Sequence, residues 1–165
     1  ILTHCPHCLN TIKNEYPQFG GEFEVIHHSE FISNLIKEGK IRLQKELNSV
    51  ATYHDSCYLG RYNDIYNPPR SILNAISGIK LKEIDRTMDK SFCCGAGGGH
   101  MWMEVNIGKK INHMRIEQAA GLNPDLVATA CPFCLVMLDD AAKAKGLEEK
   151  ISVKDIALLV EDAMR

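Results

Sequence analysis

The chain has 165 residues, 45% of them hydrophobic and 24% charged, with a formal charge of −2, proportions that allow a buried core and exclude a mainly disordered chain. No apolar run approaches the roughly 20 residues of a membrane helix, no signal-peptide pattern opens ILTHCPHC, and Lys and Arg are interspersed with acidic residues, so neither a membrane span nor nucleic-acid binding is expected. An opening Ile in place of Met predicts a chain that continues upstream, where any membrane association of the parent would reside. In chain order, residues 1–3 read as the stub of a strand, 9–16 as a helix and 23–27 as a strand, with Ser29 the N-cap of a helix over 30–38 that stops at Gly39. Residues 40–47, charged and amphipathic, predict a connecting helix. Residues 50–53 read as a strand, 69–76 as a helix with Pro at its start and Gly78 past its end, and 79–84 as a strand. After a cysteine-bearing loop, residues 102–120 predict a long helix interrupted near Gly108 and stopped by Gly121. A strand over 126–129, a helix over 133–145, a strand over 151–153 and a helix over 156–164 capped by Asp155 complete the chain.

This alternation predicts the α/β class, with a mostly parallel sheet covered by helices on both faces. Ligands of such sheets gather outside the carboxyl ends of the strands, and Cys5, Cys57 and Cys131 each follow a predicted strand. A cysteine site is therefore expected along that edge. An internal repeat refines the organisation: ILTHCPHCLNTIKNE at the start matches VATACPFCLVMLDDA from Val127, each a short strand and Thr followed by C-P-x-C-L opening a helix. Residues 1–39 are expected to be the tail of one repeat, 40–47 a connection, and 48–165 a complete second copy.

Seven cysteines, an odd number with six grouped in the pairs Cys5/Cys8, Cys93/Cys94 and Cys131/Cys134, suit a thiolate ligand set better than a disulfide framework. They also point to a reducing, cytoplasmic setting. In the complete copy, 35 residues separate Cys57 from Cys93 and 36 separate Cys94 from Cys131, so the fold and not a local loop must assemble the ligands. Zinc ribbons and ferredoxins bunch theirs. Side chains of adjacent cysteines diverge, which strains a single tetrahedral ion but suits two irons of one cluster. Five thiolates exceed the four that zinc or a cubane cluster takes, a surplus that favours a multi-iron site.

HDSCYLGR at residues 54–61, SFCCGAGGG at 91–99 and ACPFC at 130–134 together resemble the cysteine-rich CCG domain of the catalytic subunit of heterodisulfide reductase and related iron–sulfur oxidoreductases. The resemblance covers about residues 50–165; its finer detail in CYLGRY, CCGAGGG and MWME is closest to the carboxyl-terminal domain of flavoprotein-linked members. It implies that Cys57, Cys93, Cys94, Cys131 and Cys134 hold an iron–sulfur cluster, of the noncubane [4Fe-4S] type in the heterodisulfide reductase branch. It also implies other domains in the parent chain, a flavoprotein or iron–sulfur electron donor, and a disulfide or quinone acceptor. Cys5 and Cys8 match the C-x-x-C of a preceding domain. Some relatives bind zinc in one domain, so a zinc-stabilised structural or interaction domain without redox chemistry is the alternative. A thiol–disulfide exchanger using C-P-x-C would leave the other cysteines without a role.

The run Gly95, Gly97, Gly98 and Gly99 lacks the Lys-Ser/Thr of a phosphate loop, and His100 stands where a third dinucleotide glycine would be. These glycines are expected to let backbone N–H groups approach the cofactor. His54, Asp55, Arg61 and His100 flank the ligand segments as candidates for orienting ligands or moving protons, or for caps and surface ion pairs. Trp102, between Met101 and Met103, is a candidate cover for the site or a core residue.

Overall fold

The computed structural model describes residues 1–104 and 107–165. Four strands, β3 (Ser49–Tyr53), β4 (Ile79–Leu81), β5 (Leu126–Thr129) and β6 (Ser152–Asp155), form a sheet of order β4-β3-β5-β6 in which every pairing is parallel. A shorter parallel pair, β1 (Leu2–Thr3) and β2 (Ile26–His27), stands at the amino end. The helices are α1 (Pro6–Asn10), α2 (His28–Lys37), α3 (Asn67–Ala75), α4 (Ile111–Ala120), α5 (Pro132–Ala144) and α6 (Ile156–Met164). The α/β class and parallel sheet expected from the sequence are thus present. No described helix is long and apolar enough to cross a membrane.

Side chains alternate across a strand, and β5 shows the consequence. Leu126 and Ala128 enter one core with Tyr53, Ile72, Leu73, Leu159 and Val160, while Val127 enters a second with Ile116, Leu138, Ala141 and Ile151. Helices α3 and α6 therefore cover one face and α4 and α5 the other. The amino-terminal segment joins the first of these cores: Leu9 is fully buried in it, and Val25, Ile32 and Ile36 pack against it.

The two C-P-x-C segments are built alike. Thr3 pairs with His27 and Thr129 with Asp155, each the last rung of its ladder. Cys5 and Cys131 then stand at helix N-caps with Pro at the next position, where the missing proline N–H costs nothing. Asp155 caps α6 by accepting the Ala157 N–H at 2.9 Å, as expected. Its counterpart His27, and not Ser29, caps α2: its ring accepts the Ser29 N–H, and Glu30 reaches back to the His27 N–H at 3.4 Å. His28 opens α2 and meets Asp155 at 3.0 Å, so the two caps touch.

Three expected helices are absent or shortened. Residues 40–47 form an extended strap, not a helix: Ile41, Leu43 and Leu47 face the core, and the N–H groups of Gln44 and Lys45 donate to the Ala163 carbonyl at 2.8 and 2.9 Å. Partners elsewhere in the fold replace the bonds a helix would have made internally. The long helix expected over 102–120 is confined to α4, preceded by a 3-10 turn at Gly97–Trp102. Left-handed Gly108, at the expected break, and extended Lys110 interrupt it, while left-handed Gly98 and Gly99 lie in the turn before it; residues 105 and 106 lie outside the described residues. The first helix is α-helical only over Pro6–Asn10 before a π-type turn at Thr11–Glu15 and a 3-10 turn at Tyr16–Phe19. The strands expected over 23–27 and 79–84 contract to β2 and β4.

Because Leu9 lies in the same core as β3, α3 and α6, residues 1–39 and the main sheet should unfold together. Leu9→Ala is expected to cost about 2–5 kcal/mol and to leave a single cooperative transition. Denaturant titration followed by circular dichroism and by hydrogen exchange checks this; two separated transitions would show an independent amino-terminal unit.

Candidate metal centre

Strands β3 and β5 deliver cysteines to one edge because they run parallel and end together, Tyr53 opposite Ala128, with the His54 N–H extending the ladder to the Ala128 carbonyl at 2.9 Å. Cys57 follows β3, Cys131 follows β5 at the N-cap of α5, and Cys134 sits within the first turn of that helix. The third contribution comes from the loop between β4 and α4, which carries Cys93 and Cys94 and has little regular structure of its own.

Polar anchors hold that loop. Asp55, buried at 4%, accepts two bonds from Arg70 at 2.8 Å, one from Thr87 Oγ1 at 2.8 Å and one from the Met88 N–H at 2.8 Å. Arg70 also donates to both oxygens of Glu83, at 2.7 and 2.9 Å. Burial alone would raise the Asp55 carboxyl, but these bonds, Arg70's foremost, hold it below its ordinary value. Closer to the cysteines, Ser91 Oγ donates to the Asp55 carbonyl at 3.1 Å, and Arg61 donates to the Ser91 carbonyl at 2.6 Å and the Asp89 carbonyl at 3.3 Å. Asp55 and Arg61 therefore fasten the Cys93 loop to the end of β3.

The five thiols form a continuous series. Side-chain interactions link Cys57 to Cys93, Cys93 to Cys94, Cys94 to Cys134 and Cys134 to Cys131, and the sulfurs of Cys94 and Cys134 lie within 4.8 Å of each other. Cys94, Cys131 and Cys134 are buried, Cys57 and Cys93 half-buried, and all are free thiols. Hydrogen bonds from Cys57 and Cys94 push Cys93 far below an ordinary thiol. Cys131 is lowered to about 5, by Cys134 first, against the effect of burial and with help from His7. Their neighbours move the other way: donation to Cys93, then burial, raises Cys57, and donation to Cys131 and Cys94, then burial, raises Cys134. Cys94 receives a lowering bond from Cys134, yet donation to Cys93 and burial carry it up to about 12. Adjacent thiols thus cannot all ionise without an added cation. Five soft donors linked in one series suit a thiophilic metal or metal cluster.

Other groups close around this series. The Gly95 N–H donates to Cys93 Sγ at 3.2 Å. Gly95 has φ +91°, and a Cβ there would lie 3.1 Å from Ile111 Cβ and 3.2 Å from the Asn112 nitrogen. Gly97, Gly98 and Gly99 are exposed, and a Cβ at Gly97 or Gly99 meets open space. A ring nitrogen of His54 lies within 4.8 Å of the sulfurs of Cys94 and Cys134. Burial first, and then Arg115, lower His54 to about 3. His100 is exposed, and Trp102, 81% exposed, is neither core nor a cover over the thiols.

Two contributors have no signature in the sequence. His7, inside the first C-P-x-C, contacts Cys131 and lies 3.9 Å from Cys5 Sγ, so it connects the two motifs. Its contacts with Cys131 and Cys5 raise it to about 9, and its ring packs against Tyr58 and Phe133 at centroid distances of 4.2 and 5.2 Å. Arg115, on α4, reaches His54 from 61 residues away. Cys5 is buried and in contact with Cys8, which is exposed; neither joins the series of five directly.

The family described as CCG, cysteine-rich domain, matches residues 51–139, more than half of the chain and all five thiols. The chain belongs to this cysteine-rich CCG family. Among its curated relatives, the "Probable iron-sulfur-binding oxidoreductase FadF" of Bacillus subtilis is 49% identical over 99% of this chain and 23% of that protein. The "EtfAB:quinone oxidoreductase" of Syntrophomonas wolfei is 44% identical over 99% of this chain and 24% of its own length. One component of the dihydromethanophenazine:CoB--CoM heterodisulfide reductase of Methanosarcina acetivorans is 38% identical over 99% of this chain and 40% of that component. The CCG chain thus spans between about a quarter and two-fifths of the length of these relatives.

Arg70→Met leaves buried Asp55 without its cation and should cost about 3–5 kcal/mol, read by urea titration; a loss below about 1 kcal/mol would remove Arg70 from the anchoring of the loop. Gly95→Ala places a Cβ at positive φ against α4 and should cost about 1–3 kcal/mol while shifting the N–H from Cys93. Denaturation of the metal-free protein gives the first effect. Alkylation of Cys93, faster once that bond is lost, reports the second.

Proposed function

We propose that this chain is the iron–sulfur module of an oxidoreductase, with Cys57, Cys93, Cys94, Cys131 and Cys134 as ligands. The observation that carries the reading is that the parallel β3–β5 pairing gathers these five thiols at one edge, with Cys94 and Cys134 within 4.8 Å of each other, despite a span from residue 57 to residue 134. The names of FadF, the EtfAB:quinone oxidoreductase and the heterodisulfide reductase agree with it. Five thiolates with an adjacent pair favour a noncubane [4Fe-4S] cluster over a single zinc ion. A flavoprotein or iron–sulfur donor, and a disulfide or quinone acceptor, would complete the electron path.

When bound, such a cluster supplies one-electron chemistry; the chain's own residues hold and insulate it. Buried Cys94, Cys131 and Cys134 exclude water from the inner side, whereas Cys57 and Cys93 lie on the more open side. Of the glycines, Gly95 offers the N–H to sulfur, and Gly97, Gly98 and Gly99 shape the exposed turn that follows.

In the same reading residues 1–39 are the tail of a preceding repeat, 40–47 a strap and 48–165 the complete copy. The matched registers of β1–β2 and β5–β6 support this. So does the contrast between β5, which pairs with both β3 and β6, and β1, whose pairing among the described residues is with β2 alone. Cys5 and Cys8 then belong to the preceding domain of the parent chain. A cytoplasmic, reducing environment fits the free thiols.

Anaerobic reconstitution followed by iron, sulfide and zinc analysis tests the reading, with visible absorbance separating a cluster from zinc. Cys93→Ser and Cys94→Ser should remove most of the iron and absorbance of this site, Cys5→Ser and Cys8→Ser little of either. Zinc without sulfide would establish the structural alternative. Equal losses from both pairs would overturn the repeat boundary and assign Cys5 and Cys8 to the same centre.

A further inference from the structure

Among the described residues, two arginines are buried beside the cysteine site, and they are treated differently by their surroundings. Arg70, 8% exposed, is paired with both Asp55 and Glu83, two carboxylates for one cation. Arg115, 1% exposed, has no carboxylate within ion-pair distance among the described residues. Its Nε donates to His54 Nδ1 at 3.1 Å, its Nη1 to the Arg86 carbonyl at 3.1 Å and to Gln118 Oε1 at 3.0 Å, and its Nη2 is buried without a partner. Asp55 is fully engaged by Arg70, Thr87 and Met88. A buried guanidinium without an ion-pair partner is costly, and the negative charges that act on Arg115 through space are those of Asp55 and Cys134. A ring nitrogen of the same His54 lies within 4.8 Å of the sulfurs of Cys94 and Cys134.

The bond between Arg115 and His54 fixes more than position. A guanidinium has only donors, so Nδ1 of His54 must present its lone pair to Arg115 and carries no hydrogen. The ring hydrogen therefore sits on Nε2, which makes no hydrogen bond among the described residues. With its only lone pair engaged by Arg115, His54 has none left for a metal. Its closeness to Cys94 and Cys134 thus marks it as an N–H donor toward sulfur, not as a sixth ligand.

We propose that Arg115 and His54 are positioning residues for the centre: Arg115 is the buried counter-charge to the thiolate-bound cluster and locks His54 with Nε2–H available to sulfur, and together they hold the reduction potential up. This rests on the iron–sulfur reading above. One-electron reduction adds a negative charge at the site, and a nearby cation and an N–H donor favour the more negative state. Neither residue touches substrate or transfers an electron, so their effect is on potential and not on cluster assembly.

The test uses the full-length protein, reconstituted anaerobically, with the electron paramagnetic resonance signal of this centre assigned by its loss in Cys94→Ser. Arg115→Gln should keep iron and sulfide at wild-type levels and lower the equilibrium constant for one-electron reduction about tenfold, a fall of about 59 mV. Arg115→Lys, which restores the charge, should recover most of that shift. Pulsed measurements on protein labelled with 15N-histidine should show a weak coupling that disappears in His54→Gln, with the potential largely kept because the amide still donates. An unchanged potential in Arg115→Gln overturns the counter-charge, and a strong coupling typical of a bound imidazole overturns the donor role and makes His54 a ligand. If Arg115→Gln does not fold or load, the couplings of wild type and His54→Gln decide, since they need no change at Arg115. Wild-type protein that takes up iron and sulfide at no site dependent on Cys94 overturns the cluster reading itself, and this proposal with it.

Discussion

The parallel pairing of β3 with β5 is the constraint on which the cysteine site depends. Antiparallel neighbours would send the residues after each strand to opposite edges; parallel ones place Cys57 and Cys131 side by side although 73 residues separate them. The same pairing puts the N-terminus of α5 at that edge, with its unpaired backbone N–H groups and positive dipole end near Cys131 and Cys134. Proline at the first helical position leaves this helix start intact. Sheet topology thus provides a partly positive place for thiolates before any individual ligand is considered.

The sheet does not by itself position Cys93 and Cys94, whose loop is held by side chains instead. The Arg70–Asp55–Glu83 cluster and the Ser91–Arg61 contacts perform that task from β3, α3 and the segment after β4. Buried ion pairs contribute little net stability compared with apolar packing, but they are directional. A greasy contact would tolerate sliding of the loop by fractions of an ångström, whereas a bidentate carboxylate does not. Proximity of thiols demands that kind of fixation, because a small displacement of one sulfur changes the ionisation of all its neighbours.

Elements with strong local punctuation are legible in the sequence. Strand 126–129, the Pro-started helices α3 and α5, and α6 with its Asp155 cap carry their start and stop instructions within a few residues. The grouping of cysteines tells as much about the site as their spacing can. Residues 40–47 defeat a local reading because Ile41, Leu43 and Leu47 satisfy a helical and an extended pattern almost equally, and the distant Ala163 carbonyl settles the matter. The helix expected from residue 102 survives only beyond the break foreseen near Gly108, which takes a left-handed conformation. His7 and Arg115 are invisible for another reason: their roles depend on neighbours 124 and 61 residues away, and nothing in their own surroundings announces them.

The core shared by α2, α3 and α6 separates two notions of modularity. The proposed repeat boundary falls in the strap at 40–47, yet the apolar interior continues straight across it, and His28 reaches over the same seam to Asp155. Exchange of segments between related genes at that seam would bring together helix faces that never adapted to one another, and would leave Leu9, Ile32 and Ile36 facing foreign partners. Such chimaeras are disfavoured even where every metal ligand is retained. Lineages carrying this arrangement are therefore expected to inherit the strap and both flanking helices as one block, and to vary instead in the exposed turn after Gly95, where substitutions meet solvent.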